Sequence, residues 1–129
     1  MAGRKEGYMR IQKVSENAQQ AAIFRWAEYE IGKYPELALL YHVPNGGKRD
    51  ARTASILQQC GVKPGVPDLV LPVARQGYHG LYIELKAGKN KTSKNQDIWL
   101  KALKDQGYFT AVAYGFEEAK DLILWYLKE

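Results

Sequence analysis

Asp68, Glu84 and Lys86 are the residues whose types and spacing could do chemistry. Asp68 follows Pro67 at the head of an apolar run, residues 68–74. Glu84 and Lys86 alternate within a second apolar run, residues 81–87. Residues two apart in an extended chain share a face, so Glu84 and Lys86 point the same way. A strand otherwise made of Leu81, Ile83, Leu85 and Ala87 has no packing use for that pair, and buried charges persist only when paired or metal-bound. A carboxylate from each run can converge on a hard divalent cation such as Mg²⁺, which takes oxygen ligands and keeps several waters. Such a cation would polarise a phosphodiester, acidify its water and offset charge on the pentavalent transition state. Lys86, one pleat on, would position or activate the attacking water. In isolation an Asp…Glu-x-Lys pattern is more often a chance surface pair. Here the Gly-x-Pro-Asp lead-in, the strand context and the basic flanks all favour the catalytic reading.

Local signals define the elements that must hold these residues. Ser15 is a good helix N-cap, and an Ala- and aromatic-rich stretch over residues 16–31 ends at Gly32. Its face Gln20, Ile23, Ala27 continues back to Glu16, which places Glu16 at the core-facing start of that helix. Residues 37–43 read as a short strand, broken by Asn45-Gly46-Gly47. A second helix spans residues 50–60 and closes at Gly61. A loop stiffened by Pro64 and Pro67 then leads to a strand over residues 68–74, with Pro72 hinting at an edge or bulge. The strand at residues 81–87 forms a hairpin with it. Ser93 and Gln96 make a capping box for a third helix, which carries Trp99 and Leu103 on one face and stops at Gly107. A strand over residues 108–114 and a helix over residues 116–127 finish the chain. This order predicts an α/β fold, a small mixed β-sheet flanked by helices.

The chain has 129 residues, enough for one core. Residues 1–14 read as a basic N-terminal arm and 15–129 as the domain. Net charge is +5, and residues 45–106 alone carry +6, so the basic part is the middle of the chain. That favours a polyanion partner over an acidic metabolite. The single cysteine, Cys60, allows no intrachain disulfide and fits a reducing cytoplasm. No apolar run approaches the ~18 residues of a membrane helix, and residues 1–14 lack the apolar stretch of a signal peptide.

Gly65-Val66-Pro67-Asp68, the apolar strand after it, Tyr82-Ile83-Glu84-Leu85-Lys86, and Ser93-x-x-Gln96-x-x-Trp99 together resemble the virus-type replication–repair nuclease (VRR-NUC) domain of the PD-(D/E)XK superfamily. The resemblance covers about residues 15–120. It implies the PD-(D/E)XK fold and a stand-alone, phage-type nuclease working in the host cytoplasm on DNA replication or repair. It makes Asp68 and Glu84 metal-binding carboxylates and Lys86 the catalytic lysine. The Leu85 carbonyl becomes a further metal ligand and Gln96 a catalytic-site glutamine. Glu16, in Ser15-Glu16-x-x-Gln19-Gln20, becomes a glutamate reaching the metal directly or through water. The implied cofactor is Mg²⁺ or Mn²⁺.

Lys89, Lys91 and Lys94 form an acid-free run beside this site, suited to phosphate contact. Asn45, Lys48, Arg49 and Arg52, with Gly46 and Gly47 allowing close approach, make a second candidate DNA-binding segment. His42 and His79 read as structural. By resemblance, stand-alone members look like Holliday-junction resolvases, two-fold dimers on a two-fold junction, and the expected partners are branched DNA and a second copy of the chain. Trp26, Tyr29, Tyr34, Trp125 and Tyr126, outside the basic middle, are candidate interface anchors or else core residues. The alternatives are a monomeric flap or nicking nuclease, a non-catalytic nucleic-acid-binding module, and RNA processing.

Overall fold

The computed structural model describes residues 2–44 and 49–129, with side chains of the first helix from Glu16 onward. The elements are α1 (Ala2–Glu30), a 3₁₀ turn (Pro35–Leu39), β1 (Tyr41–His42), α2 (Ala51–Gln59), β2 (Leu69–Leu71), β3 (Leu81–Lys86), α3 (Lys94–Asp105), β4 (Phe109–Tyr114) and α4 (Gly115–Tyr126). They form an α/β fold around one mixed four-stranded sheet in the order β1-β2-β3-β4. The first two pairings are antiparallel and β3–β4 is parallel, with α3 as the crossover.

Three boundaries differ from the sequence expectation. The α1 backbone is helical from Ala2, so Ser15 lies inside the helix and not at its start. Ala, Arg, Lys, Glu, Met and Gln dominate the stretch before it, and all are strong helix formers. The strand expected over residues 37–43 shrinks to two residues behind a 3₁₀ turn. Leu37 and Leu40 are buried while Leu39 is 52% exposed. That three-residue period belongs to a 3₁₀ turn, and Pro35 fits its first position. β2 stops at Leu71 because Pro72 cannot donate to a ladder.

The core lies between the sheet and the α1–α4 pair. Ile23 and Ala27 of α1, Leu69 and Leu71 of β2, Leu81, Ile83 and Leu85 of β3, and Ala119, Ile123 and Tyr126 of α4 are all buried in it. The β2–β3 turn is fastened to this layer. Gln76 adopts a left-handed φ of 53° there, and its side-chain amide donates to the Trp125 and Lys128 carbonyls at 3.1 and 2.8 Å, so the hairpin closes the C-terminal end of α4. The Tyr126 hydroxyl donates to the Val73 carbonyl at 2.6 Å. Both contacts hold the hairpin's turn end, and its open end is where the charged residues gather. Among the described residues no helix is long and apolar enough to cross a membrane.

Candidate active site

β2 and β3 bring the two carboxylates to one place. Leu69 pairs with Ile83, so Asp68, one residue earlier, stands across from Glu84, and directly opposed residues share a face of the sheet. Leu81, Ile83 and Leu85 point into the core. Glu84 and Lys86 therefore occupy the opposite face. Glu84 is only 3% exposed. Its Oε1 accepts a hydrogen bond from Gln96 Nε2 at 2.7 Å and lies 3.8 Å from Lys86 Nζ. Its Oε2 is buried with no protein hydrogen-bond partner. Burial, and next the charge of Asp68, push the Glu84 carboxyl up to about 8, while Lys86 opposes the shift.

Asp68 is fixed from both sides. Its Oδ2 accepts the Leu85 N–H at 2.9 Å. Its carbonyl accepts the Val43 N–H at 2.8 Å, and His42 Nδ1, 2.9 Å from the same carbonyl, can reach it only as a donor. The N–H and C=O of a strand residue leave by the same edge. The Leu85 carbonyl therefore shares the edge that carries Asp68. Glu16 approaches from α1: burial, then the Asp68 charge, raise its carboxyl, and Lys86 lowers it. Glu16 and Glu84 thus both feel the Asp68 charge and the same lysine.

Two further contacts set these elements in place. Gln96 plays both roles open to it in the sequence. Its Oε1 accepts the Ser93 N–H at 2.8 Å in the capping box, and its Nε2 holds Glu84. Gly65 explains the glycine of the Gly-x-Pro-Asp motif. Its φ is +94°, and a Cβ there would lie 2.6 Å from the Asn95 backbone. Only glycine lets this loop sit against the start of α3, which keeps Asp68 and Gln96 in one wall.

The sequence assigned no role to Gln19. Its Oε1 accepts the Phe116 N–H at 2.6 Å, satisfying a free donor at the start of α4. That bond sets the position of α1, and with it Glu16. A glutamine three residues from Glu16 is the only signal for it in the sequence, and it says nothing about a partner 97 residues away.

The donors would suit a hard divalent cation. An orphaned carboxylate oxygen beside a second carboxylate is costly without a cation between them. Among the described residues no three His, Cys, Asp or Glu side chains form a ready-made metal cluster. The fit is to two carboxylates and a main-chain carbonyl, the sparse set that Mg²⁺ completes with water. Of the candidate DNA-binding residues, Arg49, Arg52, Lys89, Lys91 and Lys94 are exposed. Arg49 donates to the Pro44 carbonyl at 2.5 Å. Asn45 and Lys48 lie outside the described residues.

The structure sorts the interface aromatics. Tyr126 is fully buried, and Trp26 and Tyr34 pack against the core, so these three fill the monomer. Tyr29, 89% exposed, and Trp125, 40% exposed, are left on the surface.

Comparison with known proteins gives a consistent picture. The sequence matches a family model described as the VRR-NUC domain over residues 14–117. A solved structure described as a "VRR_NUC domain protein" superposes with a TM-score of 0.75 at 29% identity, covering 88% of this chain and 88% of that one. No curated protein matches the chain.

Proposed function

The chain belongs to the VRR-NUC family, a nuclease-type domain that acts on nucleic acid, and from that premise we propose that it is a divalent-metal-dependent endodeoxyribonuclease of the PD-(D/E)XK type. The observation that carries this reading is Glu84: a buried carboxylate with one orphaned oxygen, opposed by Asp68 and flanked by Lys86 and Gln96. Asp68, Glu84 and the Leu85 carbonyl would hold Mg²⁺ or Mn²⁺, with Glu16 reaching it through water. Bound there, the cation would polarise the phosphodiester and acidify a water.

The chain's own residues do the rest. Gln96 holds Glu84 Oε1 and leaves Oε2 turned to the site. The Leu85 N–H occupies Asp68 Oδ2 and leaves Oδ1 outside that bond. Lys86, with its side chain 12% exposed and its Nζ 3.8 Å from Glu84 Oε1, can donate to a phosphate oxygen or orient the attacking water. Lys89, Lys91 and Lys94 follow on the loop into α3 and would grip the strand's backbone.

The preferred substrate in this reading is a branched or four-way DNA junction in phage replication or repair. Among the described residues the chain has one such site, so paired cuts need a two-fold dimer. Tyr29 and Trp125, near the C-terminal ends of the packed helices α1 and α4, are the anchors left for that interface. The test is a panel of labelled junction, flap, duplex and single-stranded DNAs with Mg²⁺, Mn²⁺ or EDTA, alongside light scattering. Metal-dependent paired cuts in the junction and a mass near twice 14.6 kDa are expected. Unpaired nicks by a 14.6 kDa species would mean a monomeric nicking enzyme. No cleavage of any DNA by folded protein would overturn the nuclease reading.

A further inference from the structure

A groove of about 430 Å³ opens between the Val43–Pro44 segment, the Val62–Val66 loop and Trp99 of α3. Each wall is one step from the catalytic cluster. The Val43 N–H holds the Asp68 carbonyl. Val66 precedes Pro67-Asp68 in the chain. Trp99 lies one turn beyond Gln96 on the same helical face, and Gln96 touches Glu84. The groove is therefore built by the elements that fix the carboxylates, and its size falls within the range of small-ligand sites.

We infer that this groove receives one unstacked nucleobase of the bound strand, with the Trp99 indole as its stacking surface. The inference rests on the endonuclease reading and narrows its substrate to DNA with an unpaired nucleotide at the branch point. Three observations favour a base over other occupants. The lining is almost wholly apolar and contains an aromatic ring, which suits a flat π-face of any sequence. The rim is cationic: Lys63 lines the groove and Arg49 rests on the Pro44 carbonyl. A basic track beside an aromatic platform is how single strands are held. Finally, the groove adjoins a site whose substrate is a phosphodiester, so a base there belongs to a nucleotide next to the scissile bond. In uninterrupted duplex the base would first have to leave the stack, at a cost that an unpaired nucleotide escapes.

The test is an abasic scan. Fluorescently labelled flap and junction DNAs carry a single abasic site, moved one nucleotide at a time across the branch point. Binding is read by anisotropy in Ca²⁺, and cleavage in Mg²⁺ or Mn²⁺. One position should weaken binding about tenfold in the native protein, the order expected for one base–aromatic stack. That penalty should vanish in Trp99→Leu and survive in Trp99→Phe. Should Trp99→Leu fail to fold by circular dichroism, Val62→Phe fills the groove from the opposite wall and should erase the same penalty. A flat scan in the native protein, or an unchanged position-specific penalty in the folded groove variants, would overturn the pocket. Because binding is read without cleavage, the two readings fail separately. A chain that cuts DNA with a flat scan has no base pocket. A chain with a position-specific penalty that cuts nothing has the pocket and no nuclease activity.

Discussion

The wall made by β2 and β3, braced by Gln96 of α3, and the flank that runs from Arg49 through α2 to Lys63 stand beside the same groove, yet they are built in opposite ways. In the wall, Leu69, Val70 and Leu71 and most of β3 are buried, and the charged residues are held by named contacts on both sides. In the flank, no residue of α2 is fully buried, Ile56 is 50% exposed, and the one strong local device is Asp50, whose carboxylate caps the Thr53 N–H at 2.7 Å. The difference teaches where precision is needed. Phosphodiester chemistry needs carboxylates placed to within a fraction of an ångström, so they stand on core-backed strands. Gripping a polyanion needs charge and reach, which an exposed helix supplies without a core.

The largest effects should come from the wall. Asp68→Asn, Glu84→Gln and Lys86→Ala should each lower cleavage by at least ~10³-fold with folding intact, and pairs of them should lose little more than one alone, because they serve one reacting unit. Single-turnover rates on labelled DNA check this; near-native cleavage by any one variant removes that residue from the mechanism. Gly65→Ala should come next. It forces an L side chain into φ +94° and onto the Asn95 backbone, costing roughly 2 kcal/mol or more. Activity should fall further than stability explains, since Asp68 and Gln96 would move apart. Urea unfolding and cleavage measured on the same sample separate the two losses.

The pH dependence of stability sharpens the comparison, because the buried titrating carboxylate lies in the wall. Glu84 titrates near 8 in the folded chain against an ordinary 4.5. Between those values the native state holds a proton that the unfolded state has released. Its contribution is therefore full below about 4.5 and is lost as pH rises through 8. Metal-free protein in EDTA should melt lower at about pH 8.5 than at about pH 6, and Glu84→Gln should flatten that slope. An equal slope in the variant would place the titration elsewhere.

The same contrast explains what could be read from the sequence. The hairpin and Glu84-x-Lys86 were legible because alternation over a strand is a period-two signal that survives in one dimension. The capping box at Ser93 and Gln96 is likewise local. The helix at α2 was legible from Asp50 and Gly61 despite its lack of burial. Long-range devices left no mark. Nothing in the sequence says that Gln19 caps α4, that Gly65 must clear Asn95, or that Gln76 closes the far end of α4. The short strand at residues 37–43 failed for a related reason: a leucine-rich run does not reveal its period until the core chooses Leu37 and Leu40 and leaves Leu39 out.

A smaller effect is expected at the loop between wall and helix. Lys89, Lys91 and Lys94 changed together to Ala should weaken DNA binding and flatten its dependence on salt, by up to about 0.9 in log–log slope for each phosphate no longer neutralised. The single-turnover rate at saturating protein should hold, since none of the three touches Asp68 or Glu84 in the hydrogen bonds of the site. An unchanged slope would mean the run is only a solvated loop.

The smallest effect should be on the flank itself, and its smallness is the point. Ile56→Ser removes a branched apolar side chain from the middle of a helix, a change that costs several kcal/mol in a core. At Ile56 the side chain is half in water and no neighbour on α2 is fully buried, so little transfer free energy is at stake. Serine is only slightly the poorer helix former of the two in the middle of a helix. Stability should change by no more than ~0.5 kcal/mol in urea, and cleavage should be unchanged. A loss above ~1 kcal/mol would show that α2 is packed in solution as tightly as the wall, and the division between a rigid catalytic wall and an open binding flank would fall.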